Sequence, residues 1–202
     1  MARARASGTQ DGGRREAILA AALQCFGETG IEAAAIGDIG ARSGASVGSI
    51  YHHFGSKEGI ARALFVEGLR RNMELLAARL AAVRGAEVGV RTLVLALIDW
   101  IGAHPDWARF IYMVSSSRFA AEADAALREL SRDYGALIES YFGPYFASGA
   151  LRALPRECFA PLVIGPVHDY ARRWLNGQAP TPLAGHAALF ADAAWEAVRA
   201  RP

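Results

Sequence analysis

Gly44-Ala45-Ser46-Val47-Gly48-Ser49-Ile50-Tyr51-His52-His53-Phe54-Gly55-Ser56-Lys57-Glu58 is the stretch on which the reading of this 202-residue chain turns. Gly44 is placed to stop one helix, Ser46 to N-cap a very short one, and Ser56 to cap a third. Between the two serines, small residues alternate with aromatic and donor-bearing ones, as a backbone needs if it is to press against a phosphate chain and a groove floor. Lys57 is the only lysine among 22 basic residues.

Working outward, the segment before Gly44 is helical. Ile18, Leu19, Ala22, Leu23 and Phe26 fall on one stripe of a helix that begins near Arg14 and ends at Thr29-Gly30, with Gly30 as a left-handed cap. Cys25 lies within it and reads as a small buried hydrophobe. A short helix over 36–43 follows. Ile36 and Ile39 face the first helix, and Asp38 and Arg42 are spaced to pair on the surface. Gly37 and Gly40 each weaken this helix by about 1 kcal/mol relative to alanine, so packing must hold it. Val47–Phe54 is then a third helix of about two turns. Two helices joined by a tight Gly-containing turn make a helix-turn-helix, with the third helix as the reader.

Past Ser56, Phe65, Leu69, Met73, Leu76, Leu80 and Val83 recur at steps of three or four, predicting one long connecting helix. Everything beyond reads as helix too. Segment 87–103 is apolar nearly all round and predicts a central helix. Pro105 opens the next one, which carries Trp107, Phe110 and Val114. Segment 122–146 follows, then one from Pro155 to Asn176 with a kink or break expected at Gly165-Pro166. A last helix spans 183–199. The expectation is an all-α chain of about nine helices: a disordered arm over 1–13, a helix-turn-helix domain over 14–60, and a larger helical domain over 61–202.

Composition narrows the function classes. The chain is 52% hydrophobic, enough for a sizeable core. Cys25 and Cys158 form neither a disulfide framework nor a metal knuckle, which suits a reducing cytoplasm. Residues 1–13 lack the apolar core of a signal peptide. The run from Leu93 to Ile98 is stopped by Asp99, far short of the ~20 residues of a membrane span. Six basic residues up to position 60 (Arg3, Arg5, Arg14, Arg15, Arg42, Lys57) meet six acidic ones. Nucleic-acid binding cannot rest on bulk charge and must rest on placement. A solvated tail is the simpler reading of Arg3 and Arg5, the alternative being an arm that reaches phosphate or minor groove.

Within the opening stretch, Gly48 removes a side chain where the helix would approach a duplex. Ser49, Tyr51 and His52 supply donors of graded length, and Lys57 adds a charge beside helix-terminal amides that favour anions. The plain alternative is a well-capped helical corner with a surface histidine pair. Gly44-Ala45-Ser46-Val47-Gly48 also spells Gly-x-Ser-x-Gly, but the hydrolase elbow needs a strand before the serine, and a helix precedes it here. The five histidines (52, 53, 104, 168, 186) make no i, i+4 pair, so no metal site and no cofactor is expected.

These residues carry a family resemblance. Phe26-Gly27-Glu28-Thr29-Gly30, Ile36, Ile39 and Gly44, and above all Tyr51, His53, Phe54, Lys57 and Glu58, match the Tyr-x-His-Phe-x-x-Lys-Glu pattern of the TetR (tetracycline-repressor-like) family of bacterial transcription regulators. The chain resembles that family over residues 14–60, about a quarter of its length. The resemblance implies that Tyr51 and Lys57 hold phosphates and that Val47, Gly48, Ser49 and His52, behind the Ser46 cap, line a major groove. It also implies that Phe54 is core, with His53 touching backbone or packing. Two departures stand out. Ala34 and Ala35 occupy the place of a capping, phosphate-donating Ser or Thr, and Gly40 stands where Ala is usual.

For the rest of the chain the resemblance implies a small-molecule effector site. The aromatic and polar set Trp100, His104, Trp107, Phe110, Met113, Tyr134, Tyr141 and His168 could line it, though each alone suits an ordinary core. Helices over 155–176 and 183–199 match in position the pair through which members dimerise. The sequence thus reads as a cytoplasmic, homodimeric, non-enzymatic regulator, a repressor released from a palindromic operator by an apolar or amphipathic effector. The rival is an all-helical small-molecule carrier or enzyme whose N-terminal unit is only structural.

Overall fold

The computed structural model of the chain describes residues 2–115 and 125–201. Its elements are α1 (Ala2–Ala33), α2 (Ile36–Ser43), α3 (Val47–Phe54), α4 (Lys57–Ala81), α5 (Ala86–Ala103), α6 (Pro105–Ser115), α7 (Ala125–Ala147), α8 (Arg156–Leu175) and α9 (Ala187–Val198), with a 3-10 turn over Leu183–His186. Among the described residues the only β pairing is an isolated bridge between Leu151 and Arg199. No described helix is long and apolar enough to cross a membrane.

Local chemistry sets the ends. α1 leaves helical geometry at Gly30, with φ 80° and ψ 164°. Toward the N-terminus its backbone is helical from Ala2, where a disordered arm was expected; Ala and Arg alternate over residues 2–6, and both favour helix. α2 starts at Ala35 with no side-chain cap and ends at Gly44 in the left-handed region, φ 68°. Ser46 caps α3 by accepting the Ser49 N–H at 3.1 Å. Ser56 caps α4 in the same way, accepting from the Gly59 N–H at 3.0 Å. α8 runs unbroken through Pro161 and Pro166, so no break occurs at Gly165-Pro166.

The helices gather into two compact units. The first comprises the chain through Gly68 together with residues from Asp106 to Glu122; the second comprises Leu69–Pro105 and the remainder. The sequence reading divided the chain after residue 60. By packing, the division falls inside α4, and α6 goes with the N-terminal helices. In the first unit Ile18, Ala22 and Phe26 of α1 are buried with Ile39, Ile50, Ile60 and Leu64. Phe110 of α6 stacks on Phe26 at 6.0 Å between centroids. Gly68 admits Trp107 and Ile111 so closely that a Cβ would stand 2.7 Å from the indole.

In the second unit α5 is central, with Val90, Val94, Ile98 and Ile101 buried, and it packs mainly on α9 and α8. Tyr145 and Tyr141 of α7 clasp the start of α5. The Tyr145 hydroxyl accepts the Gly85 N–H at 2.7 Å, and the Tyr141 hydroxyl donates to the Gly85 carbonyl at 3.2 Å. Phe142 is fully buried and meets Phe159 of α8 at 4.9 Å.

Candidate nucleic-acid interface and ligand cavity

α3 presents two faces of different character. Ile50 points inward and is 1% exposed. Val47, Gly48, Tyr51 and His52 are exposed, at positions i, i+1, i+4 and i+5, which is one continuous outward face. Val47 and Tyr51 stand out there, at 47% and 49% exposed. A Cβ placed on Gly48 would meet nothing within 4 Å. No described neighbour inside the chain therefore requires glycine at 48.

Close approaches of backbone hold α3 at its angle. A Cβ on Gly40 would lie 2.9 Å from the Ala45 carbonyl oxygen, and one on Gly59 only 2.0 Å from that of Phe54. Gly40, which by sequence only loosens α2, is the point where the α2–α3 turn passes over it. Phe54, expected as core, is half-buried, and the Arg15 guanidinium covers its ring at 5.6 Å. Arg42 does not pair with Asp38 at i, i−4. It reaches across to α1 and donates to both Glu28 carboxylate oxygens at 2.7 and 2.6 Å, and that bond holds the Glu28 carboxyl below its ordinary range. A planar guanidinium matches a carboxylate better in this bidentate geometry than through one helical turn.

Lys57 is committed to the protein. Its ammonium donates to the backbone carbonyls of Glu32 at 2.5 Å and Ala34 at 3.1 Å. Those carbonyls end α1 just before the uncapped start of α2, where a cation is favoured. Ser46 Oγ is likewise engaged as a cap, and a helix precedes it, so the Gly-x-Ser-x-Gly stretch has neither the strand nor the lifted hydroxyl of a nucleophile elbow.

The second unit contains a cavity of about 320 Å³. α4 contributes Leu69, Asn72, Met73 and Leu76, a stripe at i, i+3, i+4 and i+7; α5 contributes Leu93, Ala96 and Leu97. From α7 come Leu127, Leu130, Ser131 and Tyr134, and from α8 Ile164 and His168. Burial, and secondarily Arg172, push the His168 imidazole down to about 4, so it is neutral near pH 7. Burial also raises the Tyr134 phenol.

Residues 18–64 match the profile of the family described as bacterial regulatory proteins, tetR family. Over that stretch the chain is similar to that family. Over 122 residues the chain is 34% identical to the HTH-type transcriptional repressor AcnR of Corynebacterium jeikeium (strain K411), covering 59% of itself and 62% of that repressor. It thus spans less than two thirds of the relative's length. In fold it is similar to a TetR family transcription regulator from Marinobacter aquaeolei VT8, with TM-score 0.81 and 19% identity over 96% of this chain and 99% of that one. It is similar also to FadR of Bacillus subtilis, solved in complex with stearoyl-CoA, with TM-score 0.75 and 16% identity over 89% and 96% of the two chains.

Of the eight residues expected at an effector site, Tyr134 and His168 line the cavity. The others have structural surroundings. Trp100 is buried and stacks on His104 at 5.3 Å, while the Tyr141 ring lies against Gly89. Trp107, Phe110 and Met113 belong to α6 in the first unit, where Phe110 and Met113 line a groove against α1. Sequence reasoning passed over Asn72 and Ser131. Their signal was available: each is a polar residue set in the apolar stripe of an otherwise amphipathic helix.

Proposed function

We propose that the chain is a DNA-binding transcriptional regulator, acting as a homodimeric repressor that a small molecule releases from a palindromic operator. The observation that carries this is the outward face of α3, where Val47, Gly48, Tyr51 and His52 are exposed together on a short helix with a buried Ile50 behind it. Val47 offers an apolar contact to thymine methyls, His52 and Ser49 offer donors to base edges, and Gly48 lets the backbone come close. Tyr51 reaches phosphate, and Ser46 caps the helix whose N-terminus faces the groove. Lys57 has two roles to reconcile, a phosphate contact and its hold on Glu32 and Ala34. The name of the AcnR repressor supports the direction of control.

The effector occupies the cavity of the second unit. α4 ties the two activities together: Lys57 and Gly59 lie at its start, and Leu69, Asn72, Met73 and Leu76 line the cavity further along. An occupant shifts operator affinity only insofar as it binds the operator-competent and incompetent dimers unequally. Dimerisation uses α8 and α9, and Leu189 on α9 is 64% exposed. Pairing half-sites supplies the affinity that a two-turn reader lacks.

Selection from a random duplex library tests this. A palindromic consensus is expected, with affinity falling steeply as salt rises. Absence of any duplex affinity at low salt rejects the reading in favour of a helical small-molecule carrier.

A further inference from the structure

We infer that the cavity of the second unit takes a compact, uncharged molecule whose hydrogen-bonding group is flanked by apolar parts on both sides, such as an ester, amide or ketone. The inference rests on the effector reading above for its biological meaning, but its chemistry comes from where the polar lining residues stand.

Ring contacts fix the level of three of the helices along the cavity. On α5, Gly89 lies directly under the Tyr141 ring, since a Cβ there would stand 2.2 Å from it. Seven residues on from Gly89 is Ala96, and seven back from Tyr141 is Tyr134. On α7 and α8, Phe142 meets Phe159 at 4.9 Å; eight residues back from Phe142 is again Tyr134, and nine on from Phe159 is His168. At ~1.5 Å per residue, Tyr134 and His168 come to one level on two helices, beside Ala96 on a third, and Asn72 of α4 is the other polar group in the same lining. All four line the cavity.

The polar belt is therefore central. On the side toward the α4–α5 turn stand Leu93 and Ile164, and on the other side Leu127 and Leu130, with Ser131 at the belt's edge. No Asp, Glu, Lys or Arg is among the described residues that line the cavity. A ligand charge would lose its hydration without an ionic partner in the lining, which is costly. A neutral oxygen or amide meets a phenol, an imidazole and a carboxamide that can donate or accept. A chain that is polar only at one end would leave those groups facing methylenes. The volume lies at the small end of the ~300–1,000 Å³ usual for ligand cavities, which favours a molecule of modest size.

Three isomers separate the possibilities: butyl butanoate carries its ester in the middle, methyl heptanoate carries it at the end, and octanoic acid, ionised to octanoate at neutral pH, carries a terminal carboxylate. Binding is measured calorimetrically on the full-length protein alone, at neutral pH. Butyl butanoate should bind about tenfold more tightly than octanoate, the scale of one or two well-made hydrogen bonds, and should also exceed methyl heptanoate. Tyr134→Phe and Asn72→Leu should each reduce the preference for the central ester severalfold, while a thermal melt of each variant reports that it is folded. Octanoate binding tightest, no isomer binding at millimolar concentration, or an unchanged preference in both folded variants would each overturn the inference. Operator release is measured separately. Ester binding without release would instead count against the regulator reading and leave the cavity's selectivity standing.

Discussion

Lys57 carries more than one demand. Its ammonium holds the Glu32 and Ala34 carbonyls at a turn where Ala35 gives α2 no side-chain cap. Lys57→Ala should therefore lower the stability of the DNA-free protein by about 1–2 kcal/mol, the scale of charge-assisted hydrogen bonds, as read from chemical denaturation. Duplex affinity should fall on every sequence. If the salt dependence also flattens by about one ion, the ammonium exchanges carbonyls for phosphate on binding; an unchanged slope assigns it wholly to the turn. His168 gives a second prediction. Its folded value of about 4 lies below the ~6.5 of an unfolded histidine, so the unfolded chain binds the extra proton between the two. The stabilisation is complete above pH 6.5 and is lost as pH falls toward 4. Denaturation at pH 7 and pH 5 should show wild type losing about 1–2 kcal/mol more than His168→Gln, after allowance for partial exposure of the ring.

At the scale of elements, glycines separate folding from reading. Gly48→Ala meets nothing within 4 Å and should raise stability by about 0.5–1 kcal/mol through helix propensity, yet weaken duplex binding, because the added methyl stands on the outward face. Gly59→Ala should do the reverse of a benign change: its Cβ would fall 2.0 Å from the Phe54 carbonyl, so the melting temperature should drop with or without DNA present. Helix boundaries near α2, α3 and α4 were legible because their signals are local. Gly44, Ser46 and Ser56 stop and start helices through bonds within four residues. Partner choice was not legible. Arg42 is spaced to pair with Asp38 but bonds Glu28 fourteen residues away. The stripes of α5, α6 and α7 likewise announce a buried face without naming the helix it meets. That is why Tyr134 and His168 could be drawn from sequence while Trp107, Phe110 and Met113 were grouped with them.

At the scale of the whole molecule, the proposed operator binding needs two copies. Leu189, 64% exposed on α9, is the side chain whose exposure a dimer through α8 and α9 would relieve. Leu189→Glu should give a folded monomer by size-exclusion chromatography. Its affinity for a palindromic duplex should fall about 100-fold or more, since the second half-site no longer benefits from linkage. A dimer that survives this change places the interface elsewhere.

The packing of α6 against α1 has a bearing on exchange between relatives. The first compact unit is assembled from two separated pieces of chain, with Phe110 stacked on Phe26 and Trp107 seated on Gly68. A reading head transplanted as a single uninterrupted segment would leave Phe26 and the groove at Gly68 bare. Recombination that swaps the proposed operator specificity is thus constrained to carry a matching α6, or to find a recipient whose own α6 already fits the incoming α1.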